Sequence, residues 1–593
     1  MLTLAWGLFL LVLLAGAGAV LAALLDCDAA LLPLPLLSAA ALVLYPFGMR
    51  GNLRIGAAAA VLLLGAAVVV GVVRLRLAGV GTAVKTALTR PGFALFLGGA
   101  AFIWCLFALH RPMFTQWDEF TAWGLAPKMV VERAAFYVAD PVNLKASFTY
   151  PATSLVTFLF QPFGLWAEWA CLAALDTLAL ACVTAASALP RPRWAGGILV
   201  FGAGVVLPFF FSNNPAGSYA PQYANAMADL PLAMLFGGAL CLYYSVGHRR
   251  RAFWLTALPL MLLTLTKDIC FAYGLIAAFL IGLDQLVTAD KPIKQSFPRA
   301  FLRAGGLAVC VVAAFASWSR YTAAVTPTVD TGASVGSAGL SYGAVLTGGV
   351  KQLLGIGRDD KFAQIMAAMG NAFFTRRICL LGGGIMAVAV ITMVAAAAFF
   401  AAEKGPARRR VLTAHLAFAF CFAALYLFHL ILYFYNLSEA EGSALKDYER
   451  YIAPYLQGWM LYGFCVLGFA VGQGSGAAQR LGRAALGLAA AAVLGIFAWR
   501  GVPAAGFWTN ADSLYTLRRD VKNRAEAMNT VLDWPDRVLV ISQGDDATRW
   551  YYYKYELTAK VVNGYGGTWW GNDDYSSRWD SDFMNLVESL NWT

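Results

Sequence analysis

The apolar run Phe93–Leu109 (FALFLGGAAFIWCLFAL) and the polar stretch Thr115–Trp123 (TQWDEFTAW) decide the fold. The run has the length of a membrane-spanning helix, which needs about 17–25 predominantly apolar residues. The polar stretch places two adjacent acids, Asp118 and Glu119, between two tryptophans. Tryptophan favours the boundary between lipid and water, so the two acids are predicted at the mouth of a membrane segment.

The rest of the chain has the same apolar character. Of its 593 residues, 60% are hydrophobic and 13% are charged, whereas a soluble protein has roughly 25% charged residues. About fourteen apolar segments are candidates for membrane spans. They are Leu4–Leu25, Leu31–Phe47, Ile55–Val73, Phe93–Leu109, Trp166–Ala188, Gly196–Phe211, Leu230–Val246, Phe253–Leu265, Ile269–Val287, Ala304–Trp318, Ile378–Ala402, Leu412–Tyr435, Pro454–Val471 and Leu486–Phe497. The sequence therefore predicts an all-α polytopic membrane protein.

The net charge of +11 is unevenly distributed along the chain. Gly501–Thr593 has 9 basic and 13 acidic residues, a net of 9 − 13 = −4, so the first 500 residues have +11 + 4 = +15. Lys and Arg accumulate in loops on the cytoplasmic side of a membrane. This excess therefore needs no nucleic-acid partner.

Alternation between the basic loops predicts which loops lie outside the cytoplasm. They are the Asp118 loop, 212–229, 320–377, 436–451 and the final 93 residues. Four spans before Asp118 place the N-terminus outside as well, together with Arg50 and Arg54, against the charge rule. A re-entrant early segment is the alternative. After Asp118, Pro127 predicts a helix over Lys128–Phe136 that lies in the interface, and Tyr150–Phe160 predicts a second surface or re-entrant element.

The terminal region differs from the rest of the chain. Arg537–Ser542 is predicted to form a strand and Gly544–Asp546 a turn. Seven of the eighteen tryptophans lie after residue 500, which suits either glycan contact or an aromatic core. We expect N-terminal transmembrane helices over 1–92, a catalytic transmembrane region over 93–500, and a small extracytoplasmic α/β domain over 501–593.

The two acids of the opening stretch are the first candidates for chemistry. Transfer of a sugar to a hydroxyl requires a carboxylate within hydrogen-bond reach to accept the proton. Adjacent carboxylates in a partly dry site differ in pKa and therefore in role, so Asp118 and Glu119 are both predicted as catalytic. The alternative is that they complement the dipole at a helix N-terminus.

Three more ionisable residues are predicted on the same side of the membrane. Asp229 begins an apolar span and is predicted to bind substrate, or to act as a helix cap. Lys267 is suited to phosphate as a point charge, or to a local ion pair with Asp268. Arg450 is suited to bidentate phosphate binding, or to snorkelling at a helix end. The aromatic residues beside these groups, Trp117 and Tyr451, are predicted to bind substrate.

Five short motifs in order indicate a known family. They are WDE (117–119), YPATS (150–154), ADLPLAM (228–234), LTKD (265–268) and ERYIAPY (449–455). Together they resemble integral-membrane glycosyltransferases of the GT-C class over about residues 93–475. The branch is similar to dolichyl-phosphate-mannose protein mannosyltransferases and aminoarabinose transferases. Two departures are the four spans before the WDE motif and the lack of Lys-Pro-Pro near YPATS, which leave the donor sugar and the acceptor open.

The resemblance implies a reaction and an assignment of residues. The donor is a polyprenyl-phosphate sugar, and displacement at the anomeric carbon is direct and inverting, on the extracytoplasmic side of a bacterial inner membrane. Asp118 matches the catalytic base with Glu119 beside it, Lys267 and Arg450 match donor-phosphate contacts, and Asp229 matches a substrate-binding acid. The acceptor is a glycolipid, a glycan or a protein, and membrane lipids surround the chain.

Two other functions fit the same residues. One is a glycolipid transporter or flippase, which needs the charged cavity without a base. The other is a non-catalytic protein that holds a glycan on its terminal domain, in which case deleting Gly501–Thr593 abolishes binding. The four histidines and ten cysteines form no metal-binding spacing, so the sequence indicates no cofactor and leaves a divalent-metal requirement open.

Overall fold

The structure is a computed structural model that describes residues 1–562, apart from a set of short segments. The segments outside the description are 137–148, 190–193, 212–221, 247–249, 290–291, 326–341, 358, 474–475, 497, 500–511, 534–535, 539, 541–547 and 559–560. Helices of the first half are α1 (Leu2–Leu25), α2 (Pro33–Gly48), α3 (Leu53–Leu88), α4 (Pro91–His110), α5 (Leu125–Arg133), α6 (Ala152–Phe160), α7 (Glu168–Ala186), α8 (Trp194–Phe210), α9 (Asp229–Val246) and α10 (Arg250–Phe253).

The second half continues as helices and ends with two short strands. Its helices are α11 (Ala257–Thr264), α12 (Cys270–Val287), α13 (Ile293–Val325), α14 (Tyr342–Leu353), α15 (Asp360–Thr375), α16 (Gly384–Ala401), α17 (Pro406–Asn436), α18 (Glu439–Ser443), α19 (Tyr448–Gln473), α20 (Gly476–Ile496), α21 (Asp512–Met528) and α22 (Thr548–Glu556). Strands β1 (Arg537–Val538) and β2 (Val561–Val562) pair in parallel.

The all-α membrane architecture predicted from the sequence is confirmed. Among the described residues, eleven helices are long and apolar enough to cross a membrane, and two further apolar helices, Trp194–Phe210 and Trp254–Thr264, are shorter. Each predicted apolar segment falls on a helix. Helices α7 and α9 are buried on all sides, as expected for the centre of a bundle.

The first four helices alternate in direction without a re-entrant segment. At one end of the bundle, Trp6 near the start of α1 donates its indole N–H to the Leu159 carbonyl at 3.0 Å, and Leu53 N donates to Ala134 O at 3.0 Å. At the other end, Arg90 pairs with Asp28 at 3.6 Å. The N-terminus and the α2–α3 loop therefore lie at the same end as Asp118, which we call the site end.

Helices α5 and α6 differ from their predicted positions. Helix α5 begins at Leu125 instead of Lys128, and all residues from Leu125 to Val131 are buried. All nine residues of α6 are buried too. The interfacial assignment was wrong because the C-terminal helices cover α5, with Lys128 Nζ donating to the Tyr555 carbonyl at 2.7 Å. The surface assignment was wrong because α6 packs against α2, α5 and α7.

A close approach of α9 and α19 sets the frame for the site. A Cβ on Gly237 would lie 2.7 Å from the Gly458 carbonyl oxygen, and a Cβ on Gly458 would lie 2.9 Å from Ala233 O. Only glycine permits backbones this close. The approach fixes the relative positions of Asp229 and Arg450, which lie near the site end of these two helices.

The described part of the C-terminal segment contains two helices and the short β1–β2 pair. Strand β1 coincides with the start of the predicted strand, whereas residues 541–542 and the predicted turn 544–546 lie outside the described residues. The α/β character of 501–593 and the boundaries 1–92, 93–500 and 501–593 remain predictions.

Candidate active site

The structure brings four of the predicted site residues into one cluster. Arg450 donates from Nη1 to Asp118 Oδ2 at 2.5 Å and from Nε to Asp229 Oδ2 at 3.0 Å. Lys267 Nζ donates to the other oxygen of Asp229, also at 3.0 Å. A fifth residue, Asp447, lies 3.6 Å from Arg450. Arg450 is therefore shared by three acids.

Each member of the cluster comes from a different element. Asp118 precedes a single π-helical turn, Glu119–Trp123, and such turns frequently occur at functional sites. Asp229 is the first residue of α9, Lys267 lies in the turn between α11 and α12, and Arg450 is in the first turn of α19. Tertiary packing, not local sequence, brings them together.

The cluster combines buried and accessible groups. Asp229 is buried, but the Asp118 side chain is 41% exposed. Within the described part of the chain, no residue donates a hydrogen bond to Asp118 Oδ1. Burial acts to lower the pKa of Lys267, but adjacent Asp229 outweighs burial, so the pKa lies above its ordinary value. The formal charges of the three acids and two cations sum to −1. One carboxylate of the cluster is therefore not balanced by a cation.

The alternatives for three residues do not match the observed contacts. Asp229 bonds two cations instead of capping its helix. Asp268 accepts from Ile269 N, while Lys267 pairs with Asp229. Arg450 is only 12% exposed, so it does not snorkel to solvent.

Aromatic rings surround the cation of Lys267. Its Nζ lies 5.3 Å from the ring centre of Tyr451 and 5.8 Å from that of Trp123. Tyr451 is thus beside the cluster, as predicted. Trp117 faces outward, 45% exposed, with its ring centre 5.0 Å from that of Tyr551 in α22.

Glu119 is held away from solvent by backbone groups. It is 1% exposed. Its Oε2 accepts from Thr115 N and Gln116 N at 2.8 and 2.7 Å, and its Oε1 accepts from Ala226 N at 2.8 Å. Burial raises the pKa of Glu119 to about 7 against the opposing effect of these hydrogen bonds. This geometry suits a residue that positions the loop around Asp118, which differs from the predicted catalytic role.

A second buried acid holds the segment that leads to Asp229. Asp176 of α7 is 1% exposed and accepts from Ala224 N at 3.1 Å. Ala224 has a φ of 53°, a left-handed conformation that non-glycine residues seldom adopt. Asp176 and Glu119 therefore fix alternate amides, those of Ala224 and Ala226, just before Asp229.

A cavity of about 100 Å³ adjoins Lys267. Lys267, Asp268 and Tyr451 line one end of it. The remaining wall comes mainly from α17, with His429, Leu432, Tyr433 and Asn436, and from Leu437 just after that helix. The cavity thus joins a cation to a wall of mixed polar and apolar side chains.

The C-terminal helices contact the site loop directly. Arg518 of α21 is 2% exposed; it donates to Glu168 Oε1 at 2.8 Å and pairs with Glu556. Its guanidinium lies 5.1 Å from the ring centre of Phe120 in the π-helical turn. Glu168 also accepts from Phe114 N at 2.7 Å. The segment after residue 500 thus supports the loop that carries Asp118.

Several functional candidates were missed or are placed elsewhere. Asp447 and Asp176 were not singled out, although Asp176 is an acid inside an apolar span, which is itself a signal. Of the basic residues between 320 and 377, Arg376 pairs with Glu449 at 2.6 Å and Lys361 donates to the Phe434 carbonyl. Both therefore support loops near the site. Among the described residues, no group of three or more His, Cys, Asp or Glu side chains is arranged to hold a metal ion.

Comparisons with known proteins identify two similar solved structures. One is ArnT from Cupriavidus metallidurans in the apo state, with 13% identity and a TM-score of 0.41 over 84% of this chain and 88% of that chain. The other is ArnT from the same organism bound to undecaprenyl phosphate, with 15% identity and a TM-score of 0.40 over 84% and 95%. No family model and no curated protein matches the sequence. A function for this multi-pass membrane protein therefore has to come from the geometry of its own site.

Proposed function

We propose that the protein is a GT-C-type glycosyltransferase that moves a sugar from a polyprenyl-phosphate donor to an extracytoplasmic acceptor. The observation that carries the proposal is the cluster of Arg450, Lys267 and Asp118. Two cations that can hold a phosphate lie beside an accessible carboxylate. The cavity at Lys267 adds two apolar side chains, Leu432 and Leu437, that suit contact with the start of a prenyl chain.

The proposed reaction is a direct displacement with inversion. The acceptor hydroxyl gives its proton to Asp118 Oδ1, and its oxygen forms a bond to the anomeric carbon. The bond from that carbon to the phosphate oxygen breaks, and the electron pair leaves with polyprenyl phosphate. Arg450 and Lys267 stabilise the departing charge, which is usually a large contribution to such catalysis. Asp229 holds both cations in place.

The test uses the full chain in nanodiscs with a labelled polyprenyl-phosphate sugar. Asp118→Asn keeps the shape of the side chain and removes the base, so we expect transfer to fall by about 10²–10⁴-fold. Asp520→Asn, on an exposed i,i+4 pair with Arg524, is the matched control and should transfer normally. Wild-type turnover in Asp118→Asn would refute the base assignment, and lipid movement without glycosidic change would support the transporter instead.

A further inference from the structure

A second, larger cavity lies outside the Arg450 cluster. It has a volume of about 770 Å³, within the roughly 300–1,000 Å³ typical of sites for organic ligands. Its walls come from the segment after α4, from α5, from residues 164–169 and from the C-terminal helices α21 and α22. Asp118, Asp229, Lys267 and Arg450 are absent from its lining, so this is a separate site.

One wall of the cavity is already neutralised by internal pairs. Glu556 pairs with Arg518 and lies 3.9 Å from Lys128. Both carboxylate oxygens of Glu168 accept hydrogen bonds, from Phe114 N and Arg518. These groups are fixed by their partners. The whole lining has four basic and four acidic side chains, so it favours neither a metal ion nor an isolated phosphate.

The remaining wall presents donors, acceptors and aromatic rings together. Lys522 and Glu526 project from α21 at i,i+4 spacing, and Arg111 follows the end of α4. Trp166 and Trp169 also line the cavity, and the Trp166 indole N–H is fixed by the Tyr555 hydroxyl at 2.8 Å. Sugars carry many hydroxyls, each of them donor and acceptor, together with apolar ring faces. Charged groups of both signs beside aromatic rings match that chemistry.

The cavity lies at the ends of two candidate membrane spans. Arg111 comes directly after α4 and Glu168 begins α7, and both helices are long and apolar enough to cross a membrane. A glycan here is therefore accessible from the aqueous side while a lipid anchor stays in the bilayer. A lipid-linked glycan and a free glycan present the same chemistry to this wall.

We propose that this cavity is an oligosaccharide-binding site formed jointly by the membrane bundle and the C-terminal helices. Binding at the cavity stands on its own observations. That the bound glycan is the part of the acceptor remote from the reacting hydroxyl rests on the proposed function.

The test measures binding, so it does not depend on transfer activity. Full-length protein in nanodiscs is applied to an array of bacterial surface oligosaccharides, and hits are measured again as free glycans and as their lipid-linked forms. Thr558 is exposed at the cavity, and its backbone N–H donates to Asn529 Oδ1 at 2.8 Å. Thr558→Trp therefore fills the cavity without removing that bond.

Matched variants distinguish a loss of glycan binding in the cavity from a general loss of folding. We expect Thr558→Trp and Lys522→Ala to weaken the hits by about tenfold or more, equivalent to 1.4 kcal/mol. Asn523→Trp and Arg524→Ala, on α21 but outside the cavity lining, should bind as wild type. Capture of a free or lipid-linked glycan that the filling variant abolishes supports the site. The absence of any glycan hit, or hits unchanged in Thr558→Trp, overturns it. If the wild-type protein binds the glycan but transfers no sugar, the result would count against the proposed function and not against the binding site.

Discussion

Replacing Arg518 by leucine tests whether the C-terminal helices are an integral part of the active site. The side chain is 2% exposed and pairs with Glu168 and Glu556. Removing one partner of a buried ion pair leaves uncompensated charge and costs about 3–5 kcal/mol. Because each 1.4 kcal/mol is a factor of ten, the population with α21 and α22 undocked should rise by roughly two to four powers of ten.

Hydrogen exchange of the protein in nanodiscs measures this population. In Arg518→Leu, we expect faster exchange at the amides of 114–123 and of α21, together with a lower transfer rate. Adding Glu168→Gln should restore part of the protection, since Glu168 is then no longer an unpaired charge, whereas Glu556 keeps Lys128 as a partner. Arg524→Leu breaks only an exposed pair with Asp520, worth about 0–1 kcal/mol, and serves as control. Unchanged exchange in Arg518→Leu would refute the reasoning.

Three further predictions concern the loop, the helix contact and the donor cation. The pKa of Glu119, raised from 4.5 to about 7 by burial, means that the folded state binds this proton more tightly than the unfolded state. Protonation of Glu119 should therefore increase the free energy of unfolding as pH falls from about 7 to 4.5. Transfer should decrease over the same range, because a protonated carboxyl oxygen accepts fewer hydrogen bonds from backbone amides. Glu119→Gln should abolish both trends in melting and activity profiles. Gly458→Leu should separate α9 from α19 and reduce transfer at least tenfold, whereas Gly495→Leu, with no atom within 4 Å of its Cβ position, should not. Lys267→Met should weaken polyprenyl-phosphate binding by about 1.5–3 kcal/mol, the value of a hydrogen bond to a charged group; calorimetric affinities equal to wild type would contradict its role.

Much of the architecture could be predicted because membrane helices follow from local composition. Each predicted span matches a helix, since about twenty apolar residues can satisfy their backbone only as a helix in lipid. The positions of α5 and α6 could not be predicted. The burial of α5 depends on a contact with Tyr555, 427 residues later, and that of α6 on packing against α2, α5 and α7. No local pattern carries that information.

The sequence predicted which residues form the candidate site better than it predicted what each of them does. Asp118, Asp229, Lys267 and Arg450 were expected on one side of the membrane, and the structure brings them into contact. Glu119 adjoins Asp118 in sequence, yet it points to backbone amides because the π-helical turn directs the two carboxylates apart. The Arg518 network lay beyond sequence analysis because its partners are separated by up to 350 residues.

The pairing of Arg450 with Asp118, one of its three acids, has a consequence for the order of events. In the proposed reaction, a donor phosphate that binds Arg450 competes with Asp118 for the same guanidinium. Until the donor arrives, Asp118 Oδ2 is paired with Arg450. Donor binding would release it, so activation of an acceptor, or of water, is coupled to the presence of a sugar to transfer. In the proposed reaction, a single arginine would thus order donor before acceptor and limit wasteful hydrolysis.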